Sequence, residues 1–379
     1  MQRRYFDHNA TTPVSQEVLD EYLPVLRDIF GNASSIHRDG QSARQHLDQA
    51  RKRVAALLHC DFKEIVWLSG GTEADNLALF GIARRTRGHV ITTTIEHPAV
   101  LNACAALEAE GIPVTYVPVD SNCVVDPDAV RSAIRPDTCL ISVMHVNNET
   151  GTIQPIAAIA AIARERGILF HSDGVQAAGR VPVNVRELCV DLYSLSAHKM
   201  YAPKGTGALY IRKGVELAPV QFGGRHEQGR RAGTENVPGA VAMGAAAGWL
   251  EQNGPSELDR LAKLRDAFEQ QVLERIRDVS VNGSRAPRAA NTSSVCFEGI
   301  EGEALVVALD LQGMAVSSGA ACSSGAVEPS HVLTAMGLTR REAKSSLRFS
   351  FGRANSEADI AALLPALEAS VDRLRKLAP

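Results

Sequence analysis

Glu64-Ile65-Val66-Trp67-Leu68-Ser69-Gly70-Gly71-Thr72-Glu73-Ala74-Asp75-Asn76 is the stretch from which the fold can be read. A short β-rich run meets a serine and two glycines, and residues 72–83 then repeat apolar side chains at helical spacing. The same step recurs downstream. β-Rich runs fall at 64–68, 89–94, 114–117, 139–145, 168–172, 191–195 and 207–211. Helical-period segments lie between them at 72–83, 98–110, 127–134 and 155–166, and three of these start at proline, which a helix accepts in its first turn. Several runs are apolar throughout, as strands covered on both faces are. The pattern predicts an α/β fold with a mainly parallel, seven-stranded sheet wound with helices.

Beyond residue 212 the alternation is less regular. A polar, glycine-rich stretch (222–238) leads into a long helical pattern (239–277), β-runs at 279–281 and 293–297, a helix near 302–311 and a last helix at 356–376. We expect a segment 1–14 packing with a small domain, a large domain 15–255, and a smaller α+β domain 256–379 carrying a small-residue loop at about 315–330.

The chain has 379 residues, 45% of them hydrophobic and 22% charged, which leaves room for about two domains and excludes disordered or collagen-like classes. A formal net charge of -3 argues against nucleic acid as a direct ligand. The most apolar stretch, 237–250, is shorter than the ~18 residues a membrane span needs, so it reads as a buried helix. The beginning of the chain turns polar at once, unlike a secretory signal, and the cytosol is the expected compartment. Seven scattered cysteines form no C-x-x-C pair, which argues against a disulfide framework and a stable metal site.

In open α/β sheets ligands lie beyond the carboxyl ends of strands, so the residues that follow each strand carry the chemistry. Ser69-Gly70-Gly71-Thr72 could cradle a phosphate, with the glycines allowing close backbone approach at a helix N-terminus. Taken alone it is also an ordinary strand–helix turn. Ser196-Ala197-His198-Lys199 puts an amine at another strand end, where a partly desolvated lysine can attack carbonyls, although a surface lysine would read the same. Asp173-Gly174-Val175-Gln176 puts a carboxylate at a third. Together they fit pyridoxal phosphate, whose aldehyde calls for a lysine and whose ring nitrogen calls for an anion. His97, after the second strand, could stack on the cofactor ring and shuttle protons. Asn147-Asn148-Glu149 could hydrogen-bond the ring hydroxyl. Cys322 sits among small residues and glycines, which suits an accessible thiol able to attack a substrate sulfur.

These residues resemble the cysteine desulfurases of the nitrogen-fixation and iron–sulfur-cluster type, among the fold-type I, class-V-aminotransferase-like pyridoxal phosphate enzymes. The resemblance spans essentially the whole chain. It rests on Tyr5-Phe6-Asp7-His8-Asn9-Ala10-Thr11-Thr12, Gly31-Asn32-Ala33-Ser34-Ser35-Ile36-His37, the strand-end motifs above, Pro203-Lys204-Gly205, Gly229-Arg230-Arg231-Ala232-Gly233-Thr234-Glu235-Asn236, the Cys322 loop and Leu347-Arg348-Phe349-Ser350. There are two local departures: Ala33 stands where the family often has proline, and Arg225-His226-Glu227 lies in a stretch that often has a middle glutamine.

The resemblance implies a homodimer with two active sites, in which Lys199 bonds the cofactor and Asp173 pairs with the ring nitrogen. Gln176 and Asn148 contact the ring oxygen. Gly71, Thr72, Ser196 and His198 hold the phosphate, joined by Thr234 from the other subunit. His97 stacks on the ring, and Asn32 and Arg348 clasp the substrate carboxylate. The implied reaction turns L-cysteine into L-alanine, leaving a persulfide on Cys322 for a sulfur acceptor such as an iron–sulfur scaffold protein, with which Cys322 could transiently share a cluster. The alternatives are a selenocysteine lyase or another fold-type I lyase or aminotransferase, which would not need the loop thiol, and a non-catalytic binding subunit.

Overall fold

A computed structural model describes residues 3–318 and 328–377; Cys322 and most of its expected loop lie outside the described residues. After a two-residue strand β1 (Arg4–Tyr5) the central sheet is built from β2 (Ile65–Leu68), β3 (His89–Thr93), β4 (Val114–Val117), β5 (Thr138–Ser142), β6 (Leu169–Asp173), β7 (Leu192–Ser196) and β8 (Gly207–Ile211). Their spatial order is β2-β8-β7-β6-β5-β3-β4. β8 pairs antiparallel with β2 and β7, and every other pairing is parallel. The exception follows from chain length. Only residues 200–206 separate the 3-10 turn Ala197–Lys199 from β8, too few for the crossover a parallel neighbour requires, so the chain reverses.

Both sheet faces are covered. Along β2, Ile65 and Trp67 point into one core while Val66 and Leu68 point into the other, and Ala208/Tyr210 and Leu209/Ile211 divide the same way on β8. The first core is closed by helices Gln16–Asp28, Arg38–Leu58, Ile156–Glu165 and the beginning of Val237–Arg275. Helices Gly71–Thr86 and Pro98–Ala109 close the second. The strand expected at 139–145 leaves regular pairing after Ser142, although Val143 and His145 still donate N–H bonds to the carbonyls of His171 and Asp173.

A further core forms around an antiparallel sheet of β9 (Val279–Val281), β10 (Thr292–Phe297) and, after the short β11 (Met314–Ala315), β12 (Ser346–Ser350), in the order β12-β10-β9. Helices Gly302–Asp310 and Glu357–Leu377 pack on it. The helix Val237–Arg275 serves both regions, contributing Val237 to Leu250 to the first and Leu261 to Val272 to this one. The beginning of the chain joins this core too, because β1 pairs with β11 and Phe6 is fully buried in it. Among the described residues no helix is long and apolar enough to cross a membrane, and six cysteines are free thiols.

Phe268 is buried in this core with its ring centroid 4.8 Å from that of Phe349 and 5.4 Å from that of Phe351. Phe268→Ala should cost about 3–5 kcal/mol, read as a lower midpoint of urea unfolding. An unchanged midpoint would contradict the packing described here.

Candidate active site

The parallel strands end along one edge of the sheet, and their following residues enclose a cavity of about 290 Å³. Gly71 and Thr72 line it from the start of the helix after β2, where first-turn N–H groups have no acceptor within the helix. A Cβ on Gly71 would lie 2.6 Å from Val175 Cγ2, so a glycine is needed for this turn to sit so close to the wall. Ser196, His198 and Lys199 enter from the end of β7. Asp173, Val175 and Gln176 enter from the end of β6, and Asn148 from the turn beyond β5. His97, at the end of the β3 loop, faces the same space.

The Lys199 amine donates to the carbonyls of Asn9 at 2.5 Å and Ala10 at 2.7 Å. Burial, then the Arg180 and Arg348 guanidinium groups, lower its proton affinity to a pKa of about 7; Asp7 and Asp173 pull the other way. The free amine, which is the nucleophilic form, is therefore abundant at neutral pH. His97 caps the helix Pro98–Ala109, its Nδ1 accepting from Ala99 N–H at 3.1 Å. That bond leaves the proton of the neutral ring on Nε2. Desolvation holds its proton affinity below the usual histidine range.

Two carboxyl groups line the cavity, Asp75 and Asp173. Burial raises the proton affinity of both. At Asp173 this is opposed by the nearby His97 and Lys199 and by the Val175 N–H, which donates to Oδ1 at 2.9 Å. At Asp75 a bond to Ser194 alone opposes burial, and nearby Asp173 adds repulsion. Asp173 is therefore the readier of the two to ionise, and burial holds the proton affinity of Asp75 well above the usual carboxylate range. Gln176 donates through Nε2 to the Asn9 carbonyl at 2.9 Å, while its Oε1 is buried without a partner.

Nine of the residues expected to bind the cofactor share this cavity: Gly71, Thr72, His97, Asn148, Asp173, Gln176, Ser196, His198 and Lys199. The tenth, Thr234, is exposed and does not line it. Asn32 is also exposed, with Oδ1 accepting from Ser34 N–H at 2.9 Å. Arg348 stands one layer away, donating to the Asn148 carbonyl at 2.9 Å and to Asp7 at 2.8 Å, with its buried Nε unpartnered. Sequence reasoning assigned no role to Asn9 and Ala10, whose carbonyls receive the amine, nor to Asp75 and Arg180. Asn9 and Ala10 lie inside the quoted segment 5–12, but a backbone carbonyl leaves no mark in side-chain chemistry.

The family model described as Aminotransferase class-V matches residues 4–363. The chain belongs to that family. It is 46% identical over 378 residues to "Cysteine desulfurase IscS" of Dictyoglomus turgidum, covering 99% of this chain and 96% of the relative. Among solved structures it resembles "NIFS-LIKE PROTEIN", with a TM-score of 0.91, 36% identity and coverage of 98% of this chain and 100% of the other. It also resembles "SspA in complex with cysteine", with a TM-score of 0.83, 38% identity and coverage of 92% and 98%. Cysteine desulfurases of this family depend on pyridoxal phosphate. The cavity fits that group: an open helix N-terminus for phosphate, an amine for the aldehyde, an ionisable carboxyl for the ring nitrogen, and an unpartnered Gln176 Oε1.

A Cβ on Gly174 would fall 2.0 Å from the buried Tyr193 ring, so Gly174→Ala must displace the turn that carries Asp173 and Gln176. We expect affinity for pyridoxal phosphate to fall at least about tenfold, followed by fluorescence titration of the cofactor-free protein. Unaltered affinity would show that this turn does not position the ligand.

Proposed function

We propose that the chain is a pyridoxal-phosphate-dependent cysteine desulfurase that converts L-cysteine to L-alanine and receives the sulfur as a persulfide on Cys322. The observation that carries this is the sharing of one cavity by the Lys199 amine and the Asp173 carboxyl group. The full-length likeness to cysteine desulfurases supports it.

When bound, pyridoxal phosphate supplies an electron sink for negative charge developing beside the substrate amine. Gly71, Thr72, Ser196 and His198 would hold its phosphate, with Thr234 reaching in from a second copy of the chain. Asp173 would keep the ring nitrogen protonated, and Gln176 and Asn148 would bond the ring oxygen. Lys199 would take and return the α-proton, a task that suits an amine titrating near pH 7. His97 would contact the ring and hold a proton at Nε2. Asn32 and Arg348 would orient the carboxylate of L-cysteine, and the unpartnered Arg348 Nε favours an added acceptor there.

In the sulfur step the Cys322 sulfur bonds to the substrate sulfur, the substrate C–S bond breaks, and the β-carbon gains a proton. The products are L-alanine and the Cys322 persulfide. We place this activity in the cytosol, in a homodimer that delivers sulfur to an acceptor such as an iron–sulfur scaffold protein. Phe30 and Ile36, which are 82% and 94% exposed on either side of Asn32, support a second copy covering this face.

Wild type given L-cysteine, pyridoxal phosphate and a reductant should release alanine and sulfide in equal amounts. Cys322→Ser should lose at least about 100-fold in rate and still bind the cofactor. A fully active Cys322→Ser enzyme would rule out the persulfide route. Selenocysteine cleavage without cysteine cleavage in the wild type would identify the alternative lyase.

A further inference from the structure

Arg180 is a buried cation for which no described residue supplies an anionic partner. The residue is only 5% exposed, its Nη2 donates to the His8 carbonyl at 3.0 Å, and its Nη1 is buried without an acceptor. The other arginines beside the site are paired, Arg348 with Asp7 and Arg353 with Glu17. A buried guanidinium without a carboxylate is costly, and such a group is found where its charge or geometry serves something else.

Two features tie it to Lys199. His8, which Arg180 holds, directly precedes Asn9 and Ala10, whose carbonyls receive the lysine amine. Gln176, four residues before Arg180, donates to the same Asn9 carbonyl, so one turn grips this strap at two successive residues. We propose that Arg180 is a positioning residue of the active site: it fixes the strap that receives the Lys199 amine and directs an uncompensated positive charge at that amine.

The groups facing Lys199 can be named by element. Asp7 and the Asn9 and Ala10 carbonyls come from the strap, Asp173 from the end of β6 and His97 from the β3 loop. His198 lies beside it, and Arg348 comes from β12. The two aspartates and the carbonyls favour the ammonium form. Arg348 and Arg180 oppose it, and burial keeps both histidines neutral and thus weak contributors. Arg348 is offset by Asp7 at 2.8 Å, which leaves Arg180 as the cation without an offset. Removing it should make the amine hold its proton to higher pH.

The inference rests on the reading of Lys199 as the cofactor-bearing amine, and its test involves neither cofactor nor substrate, so the two can fail separately. Cofactor-free, full-length protein is treated with formaldehyde and a borane reductant across pH 5.5–10. Methylation of Lys199 is followed by peptide mass spectrometry, with exposed Lys263 as the internal control. In Arg180→Met the midpoint for Lys199 should move up by about one pH unit, a roughly fivefold smaller free-amine fraction at about pH 7. Arg180→Lys, which keeps the charge, should restore the wild-type midpoint. Melting curves establish that both variants are folded. An unmoved midpoint in folded Arg180→Met, or equal shifts in the two variants, would overturn the proposal.

Discussion

An amine withdrawn from water among guanidinium groups needs acceptors, and the acceptors for Lys199 come from a distant part of the chain. The Asn9 and Ala10 carbonyls belong to a strap whose preceding residue pairs lie in the other core: Phe6 is buried there, and β1 pairs with β11. The strap therefore connects the two regions at the site itself. Asn9 donates to the Asn148 carbonyl at 3.1 Å and to Thr292 Oγ1 at 2.9 Å, and it accepts from Asn291 at 3.0 Å. Arg348, on β12, reaches back to Asp7 and Asn148. With this many buried polar bonds shared between regions, displacing either one would strand unsatisfied groups around the lysine.

The same economy governs the turns at the strand ends. Glu96 accepts from Thr93 Oγ1 and from the Met144 N–H, linking the His97 turn to the Asn148 turn, and burial pushes its pKa up to about 8. His331 donates to the Glu96 carbonyl at 2.9 Å, and Ser330 donates to Glu149 at 2.5 Å. On the other side, Ser317 exchanges backbone bonds with Arg348. The described residues that flank the Cys322 segment are thus bonded to the turns that hold His97 and Asn148 and to the substrate-carboxylate candidate.

The central sheet was legible because buried parallel strands are apolar on both faces and end in polar turns. All seven predicted runs are strands, with ends moved by three residues or fewer. Helices Gln16–Asp28 and Arg38–Leu58 were not read, although Ala43, Leu47, Ala50, Val54 and Leu58 form a buried stripe; charged residues fill the rest of that helix and dilute the signal. β12 was quoted as a motif without being recognised as a strand. At the site, side-chain donors and acids could be found from strand-end position. The amine's carbonyl acceptors, the buried Asp75 and the unpaired Arg180 could not, because each depends on which distant segment lies against it.

The most direct test of the account is to locate the cofactor bond. Cofactor-loaded protein is reduced with sodium borohydride, digested and mapped by mass spectrometry. The geometry predicts a phosphopyridoxyl group on the peptide containing Lys199 and on no other lysine. Label on a different lysine, or none on a protein shown to have bound pyridoxal phosphate, would contradict the assignment of this cavity as the catalytic centre.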